Sequence, residues 1–180
     1  AAPCGRADLE ALEAVLRRLG GRARVVALHH ASNVLGGIQP VAEAGRICRV
    51  AGVPLLVDAA QTAGAVEIDV EAMRIDALAA PGHKGLLGPL GTGLLWVRPG
   101  LDLLTVREGG TGSRSEEEIQ PSDWPDRMEA GSQNAIGIAG LGAGEAKVLL
   151  QAGQGVGRER GALLDRHAHL VVEIDLVGDD

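Results

Sequence analysis

Apolar residues recur along this chain in two rhythms, one helical and one of short buried strands. Leu9, Leu12, Val15, Leu16 and Leu19 fall three or four apart, which predicts an amphipathic helix from Asp8 to Leu19. Asp8 suits its N-cap, Glu10 and Glu13 complement its positive end, and Arg17 and Arg18 its negative end. Gly20-Gly21 stops it. Val25 to Leu28 is a short apolar strand that runs into His29 and His30. Pro40 then opens a second helix as its first residue. Val41, Ala44, Cys48 and Ala51 share one face of that helix, and Gly52-Val53-Pro54 ends it. A strand over 54–57 follows, and the strand, helix, strand order predicts a right-handed parallel crossover.

Beyond it, Glu71 to Arg74 reads as a helical turn, Ile75 to Ala80 as a strand, and Leu94 to Val97 as another. Gly88-Pro89 and Gly91-Thr92-Gly93 mark turns between the last two. Glu108 to Arg127 is glycine-rich, polar and too poor in apolar residues for a core; loops of that length are functional or disordered. Asn134 to about Gln151 reads as a helix rich in Gly and Ala, and Gly157 to His169 as a further helix. The final VVEIDLVGDD stops on a strand-like run and the first residue is not Met, so the sequence is read as a piece of a longer protein.

Composition narrows this picture. The 180 residues suit one domain with a real core, although Phe and Tyr are absent and Leu, Val, Ile and Ala must fill it. The net charge of −7 is spread without blocks, which argues against nucleic acid and anionic membrane as partners. No run is long enough to span a bilayer and the start has no signal-peptide pattern, so a cytoplasmic protein is expected. Cys4 and Cys48 make neither a disulfide framework nor a metal-ligand spacing.

The candidate chemistry lies at strand ends. One apolar run delivers Asp58 and a later one delivers Lys84 just beyond its end. In an open α/β sheet the ligand crevice lies outside the carboxyl ends of the strands. An Asp that holds a ring nitrogen protonated, together with a Lys that condenses with an aldehyde, is the minimum kit for pyridoxal phosphate (PLP) chemistry. A lysine attacks only when neutral; Leu86, Leu87 and Pro89 are expected to supply a dry wall that favours that state. The plainer alternatives are a surface lysine in a turn and an Asp that caps the turn after its strand. Behind a buried strand, an unpaired carboxylate would be costly. His83 reads as an anion donor or a solvated loop histidine. Thr111, in Gly109-Gly110-Thr111-Gly112, lies either in an anion nest or in a flexible turn. Asn33 follows the strand that ends at His30; His30 and Ser32 read as structural. Cys48 has the phase of a packed, inert thiol. Gly140-Leu141-Gly142-Ala143-Gly144 mimics a dinucleotide loop, but Glu145 takes the third-glycine position and no strand precedes it. Small residues on a closely packed helix explain it better.

Asp58-Ala59-Ala60-Gln61 followed by Pro81-Gly82-His83-Lys84 resembles the class V branch of fold-type-I PLP enzymes, most closely the cysteine desulfurases and selenocysteine lyases. His30-Ala31-Ser32-Asn33-Val34 upstream, and Gly109 to Ser113 and Glu129 to Asn134 downstream, extend the resemblance from about Val25 to Leu141. It implies an α/β, three-layer large domain with a mostly parallel sheet, incomplete at both ends. Residues 1–150 would be part of the PLP-binding large domain, and 151–180 a helix and the start of a small C-terminal domain. By the same resemblance Lys84 is catalytic and Asp58 is the pyridinium partner. Ala60 packs on the ring, while Gln61 bonds the phenolic oxygen. Asn33 bonds that oxygen or a substrate carboxylate, His83 binds phosphate, and Thr111 reaches the cofactor phosphate of the other subunit in a homodimer. Pro81 departs from the Ser or Thr that many desulfurases carry there, which removes one phosphate donor. The implied activity takes sulfur from L-cysteine to give alanine and an enzyme persulfide, for which a sulfur-acceptor protein is a further partner. The family's thiol lies in a C-terminal segment that this chain does not include. Alternatives are another class V activity (aminotransferase, epimerase or selenocysteine lyase) or an inactive interaction piece.

Overall fold

The computed structural model describes residues 5–110, 114, 116–153 and 169–171, with the backbone alone for 145–153 and 169–171. The chain divides into two compact units, Ala1–Ala80 and Pro81–Asp180.

The first unit opens with helix α1 (Leu9–Leu19), N-capped by Asp8, whose carboxylate accepts from the Ala11 N–H. Leu16 is its buried contact; Val15, expected on the same face, is 38% exposed. Strand β1 (Val26–His29) begins and ends one residue later than its apolar run. Helix α2 (Val41–Ala51) starts after Pro40, which is the N-cap rather than the first helical residue, because its ψ of 66° is not helical. Val41, Ala44 and Cys48 are buried on the face that the sequence pattern marks, whereas Ala51, expected on the same face in the last turn, is exposed. Gly52 closes the helix with φ 69°, a left-handed conformation that a side chain would strain, and its N–H bonds the carbonyls of Cys48 and Arg49.

Strand β2 (Leu55–Asp58) pairs in parallel with β1 and with β3 (Ala77–Pro81). Parallel strands are covered on both faces, and Leu55, Val57, Ala77 and Leu78 are all buried. The parallel crossover expected from the strand, helix, strand order is present. The turn before β3 is organised by Asp69, which accepts from the N–H groups of Glu71 and Ala72. A Cβ on Gly45 would collide with the Met73 carbonyl, so α2 lies directly on that turn. Asp76, unmarked by any sequence signal, is a buried carboxylate. It accepts from the Leu55 N–H at 2.9 Å and lies 3.8 Å from the Arg49 guanidinium, which ties the start of β2 to the turn and to α2.

The second unit contains β4 (Gly93–Val97), helix α3 (Ala135–Gly153) and β5 (His169–Val171), with β5 antiparallel to β4. The long polar segment ends in a 3-10 turn, Asp126–Met128. There Arg127 meets Asp102 at 2.9 Å and donates to the Leu103 carbonyl. The expected helix from Gly157 to His169 lies outside the described residues except for His169, which begins β5 and is therefore not helical. Asn134 caps α3 by accepting from the Gly137 N–H at 3.0 Å. Three glycines of α3, Gly137, Gly140 and Gly144, are packing residues, as expected for a closely packed helix, whereas Gly142 is exposed. A Cβ at Gly140 would lie 2.8 Å from Pro89 Cγ, and one at Gly144 2.6 Å from the Leu86 carbonyl oxygen.

Candidate active site

The first unit gathers four of the expected residues at one edge. The register His29↔Asp58 ends β1 and β2 together, and β3 runs two residues past Ala79, the partner of Asp58. Asn33 lies exposed in the turn after β1, and Asp58 is the last residue of β2, with Ala60 and Gln61 in the turn beyond it. Asp58 is exposed, not buried, so the costly buried carboxylate expected from the sequence does not arise. Its Oδ1 accepts from the Ala60 N–H at 2.8 Å, which is the turn-capping role. Its Oδ2 has no hydrogen-bond partner among the described residues and is available to a ligand. Ala60 is half-buried and Gln61 exposed.

That turn is anchored from beneath. The Ala59 N–H bonds the Ala79 carbonyl at 2.8 Å, and the Thr62 and Ala63 N–H groups return to the Ala59 carbonyl. His30, 3% exposed, bonds the Asp58 carbonyl through its backbone N–H at 2.7 Å and Thr62 Oγ1 through its ring Nδ1 at 2.9 Å. The structural reading of His30 therefore holds, and Thr62, 1% exposed, is the residue that sequence reasoning missed. Ser32 is also structural: its hydroxyl accepts from the Val34 and Leu35 N–H groups.

Burial lowers the His30 pKa from its ordinary value near 6.5. The unfolded chain then takes up the proton first as pH falls. The stabilisation is complete above about pH 6.5 and is lost as pH drops through that value toward the folded pKa. Urea midpoints measured from pH 7.5 to 5.5 are expected to decline, and His30→Asn is expected to flatten that decline. Equal slopes in the two proteins would refute it.

In the second unit, His83 and Lys84 occupy one turn and both are exposed. The dry wall expected around Lys84 does not form: Leu86 is 4% exposed, but Leu87 is 51% exposed. The turn closes instead through the backbone, with the Leu87 N–H on the Lys84 carbonyl at 2.9 Å and the Gly88 N–H on the Gly82 carbonyl at 2.7 Å. Leu87 carries φ 58°, which is strained for a branched side chain and marks a backbone held by its surroundings. Thr111 lies outside the described residues.

Cys48 is 1% exposed, and burial together with the nearby Asp76 carboxylate raises its pKa, so it is an inert packed thiol. An open groove of about 400 Å³ between α1 and β1, lined by Leu12, Val15, Leu28 and His29 among others, contains none of the expected site residues. Among the described residues, no helix is long and apolar enough to cross a membrane.

Parallel strands in the first unit with a carboxylate and two amides at or just beyond their carboxyl ends make this an α/β protein of the kind that binds ligands at strand ends. The chain belongs to the class-V aminotransferase family, whose pattern it matches over residues 2–159. It is 45% identical over 124 residues to a probable cysteine desulfurase of Methanothermobacter thermautotrophicus, a match that covers 67% of this chain and 31% of that protein. Cysteine desulfurase IscS of Anaeromyxobacter dehalogenans is 36% identical over 140 residues, covering 77% of this chain and 31% of the relative. The apo structure of cysteine desulfurase from Thermococcus onnurineus NA1 superposes with a TM-score of 0.64 at 36% identity, over 81% of this chain and 36% of that one. The fold is therefore the fold-type-I class expected from the resemblance, in a PLP-dependent family. The chain spans about a third of the length of the relatives it matches.

Proposed function

We propose that this chain carries the cofactor-binding residues of a PLP-dependent cysteine desulfurase, which removes sulfur from L-cysteine to give alanine and an enzyme persulfide. The observation that carries the reading is the parallel register that ends β1 and β2 together at one edge of the first unit, with Asp58 closing β2, Gln61 just beyond it and Asn33 in the turn after β1. The donor set fits the cofactor, with an exposed carboxylate oxygen for a ring nitrogen, a small residue at Ala60 for a ring face and an exposed primary amine.

In this reading Asp58 Oδ2 would hold the proton on the ring nitrogen, Gln61 would donate to the phenolic oxygen, Asn33 to that oxygen or to a substrate carboxylate, and His83 and Thr111 would bind phosphate. PLP, when bound, supplies an aldehyde for amines and a cationic ring that accepts electron density from the substrate α-carbon. Lys84 Nζ would hold the aldehyde and would carry the proton at that α-carbon. The net change would be cleavage of the substrate's C–S bond, its sulfur passing to a thiolate as a persulfide and a proton being added to the carbon that becomes the methyl of alanine. Cys48 is too buried to be that thiol. We further infer a cytoplasmic homodimer that shares Thr111 across its interface, a sulfur-acceptor protein as partner, and a division into a large-domain part, 1–150, and the start of a small domain, 151–180.

The sequence makes the test unusually clean, because it contains two lysines, Lys84 and Lys147. The chain is mixed with PLP, reduced with borohydride and mapped by peptide mass. Label concentrated at Lys84 over Lys147 and the terminal amine is the expected result. Equal labelling of the amines, or none, overturns the reading.

A further inference from the structure

We propose that His30 is a positioning residue which, through Thr62, holds the turn that presents Asp58, Ala60 and Gln61 to the cofactor. The inference rests on the PLP reading above and assigns roles to two residues that touch none of the reacting atoms.

Thr62 Oγ1 is bonded to His30 Nδ1 at 2.9 Å and lies 3.4 Å from the Ala59 carbonyl oxygen, within reach of its hydroxyl proton. The Thr62 N–H returns to the same Ala59 carbonyl at 2.9 Å. Thr62 therefore folds the segment back on itself directly behind Ala60 and Gln61, and its hydroxyl is bonded to the ring of His30, the residue that follows β1. His30 is itself held at both backbone groups: its N–H bonds the Asp58 carbonyl and its carbonyl accepts from the Gln39 N–H at 2.8 Å. The imidazole thus has little freedom to follow the turn if the turn shifts.

Both side chains are almost fully buried, at 3% and 1% exposure, where a bond donated in low dielectric is not replaced by water when it is lost. A threonine at this position could have turned its hydroxyl to any backbone carbonyl. Its pairing with a buried histidine 32 residues earlier links the end of β1 to the only segment that carries three of the expected cofactor contacts in the first unit.

The test compares the unaltered chain with Thr62→Val, which keeps the shape and removes the hydroxyl, Thr62→Ser, which restores it, and His30→Asn. Amide hydrogen exchange without cofactor is read at residues 59–63 against the β2 amides, and PLP capture at Lys84 is read in parallel. Thr62→Val is expected to speed exchange of the Ala60, Thr62 and Ala63 amides about tenfold while the β2 amides stay protected, and to weaken PLP capture about fivefold. Thr62→Ser is expected to recover both, and His30→Asn to fall between. Exchange in Thr62→Val within twofold of the unaltered chain overturns the proposal, as does loss of protection spread equally over β2, which would mark a merely structural bond. Failure of the unaltered chain to capture PLP at all overturns the cofactor reading and the cofactor-facing role with it, while the exchange arm still decides whether the pin exists.

Discussion

Replacing Asp58 with alanine is expected to lower PLP capture at Lys84 by about ten- to a hundredfold. A hydrogen bond to a charged group contributes about 1.5–3 kcal/mol, and each 1.4 kcal/mol is about a factor of ten. The carboxylate has two separable jobs, since Oδ1 caps the Ala60 N–H and Oδ2 is free for the ring nitrogen. Asp58→Asn keeps an oxygen for the cap and removes the charge, so it is expected to retain the turn and still lose most of the capture. Loss of the cap alone would give the opposite order, with Asn close to the unaltered chain and Ala impaired. Capture in Asp58→Ala within twofold of the unaltered chain would remove Asp58 from the site altogether. The readout is the labelled fraction at Lys84 in titrations with PLP, with Lys147 as the internal background.

The parts of this molecule that were legible in its sequence are those governed by periodicity and short-range geometry. The spacing of Val41, Ala44 and Cys48 located the buried face of α2, and Asp8 located the cap of α1. The apolar runs of β1, β2 and β3 stop one residue before the strands do; Asp58 and His29 are polar yet remain in register. Pro40 misled by one position, since a proline near a helix start fits the N-cap as well as the first turn once its ψ is unhelical.

Long-range polar bonds left no such trace. Asp76 sits next to an apolar run and gives no sign that it will accept the Leu55 N–H, and Thr62 follows Gln61 as an ordinary turn residue. Both became visible only when strands far apart in sequence were paired. The site residues themselves were legible through their order, Asp58 to Gln61 then Pro81 to Lys84, but their surroundings were not. Leu87 was expected to dry the amine of Lys84, whereas its left-handed backbone accompanies a side chain that is 51% exposed.

Two glycines two residues apart in α3 are expected to respond to the same substitution with opposite signs. A methyl group on Gly142 meets no described atom within 4 Å, so Gly142→Ala gains helix propensity, about 0.8–1 kcal/mol of stabilisation. A methyl group on Gly144 would sit 2.6 Å from the Leu86 carbonyl oxygen and 2.7 Å from that of Leu87. These atoms are backbone and yield only if the loop moves; overpacking of this kind costs about 1–3 kcal/mol, which exceeds the propensity gain. Gly144→Ala is therefore expected to lower the urea midpoint where Gly142→Ala raises it. The displaced carbonyls belong to the turn whose Leu87 N–H bonds the Lys84 carbonyl, so Gly144→Ala is also expected to reduce labelling of Lys84 while Gly142→Ala leaves it unchanged. A Gly144→Ala protein as stable as its Gly142→Ala counterpart would show that α3 does not bear on that loop. The glycine run would then reflect helix composition and not the close approach that holds the turn of His83 and Lys84.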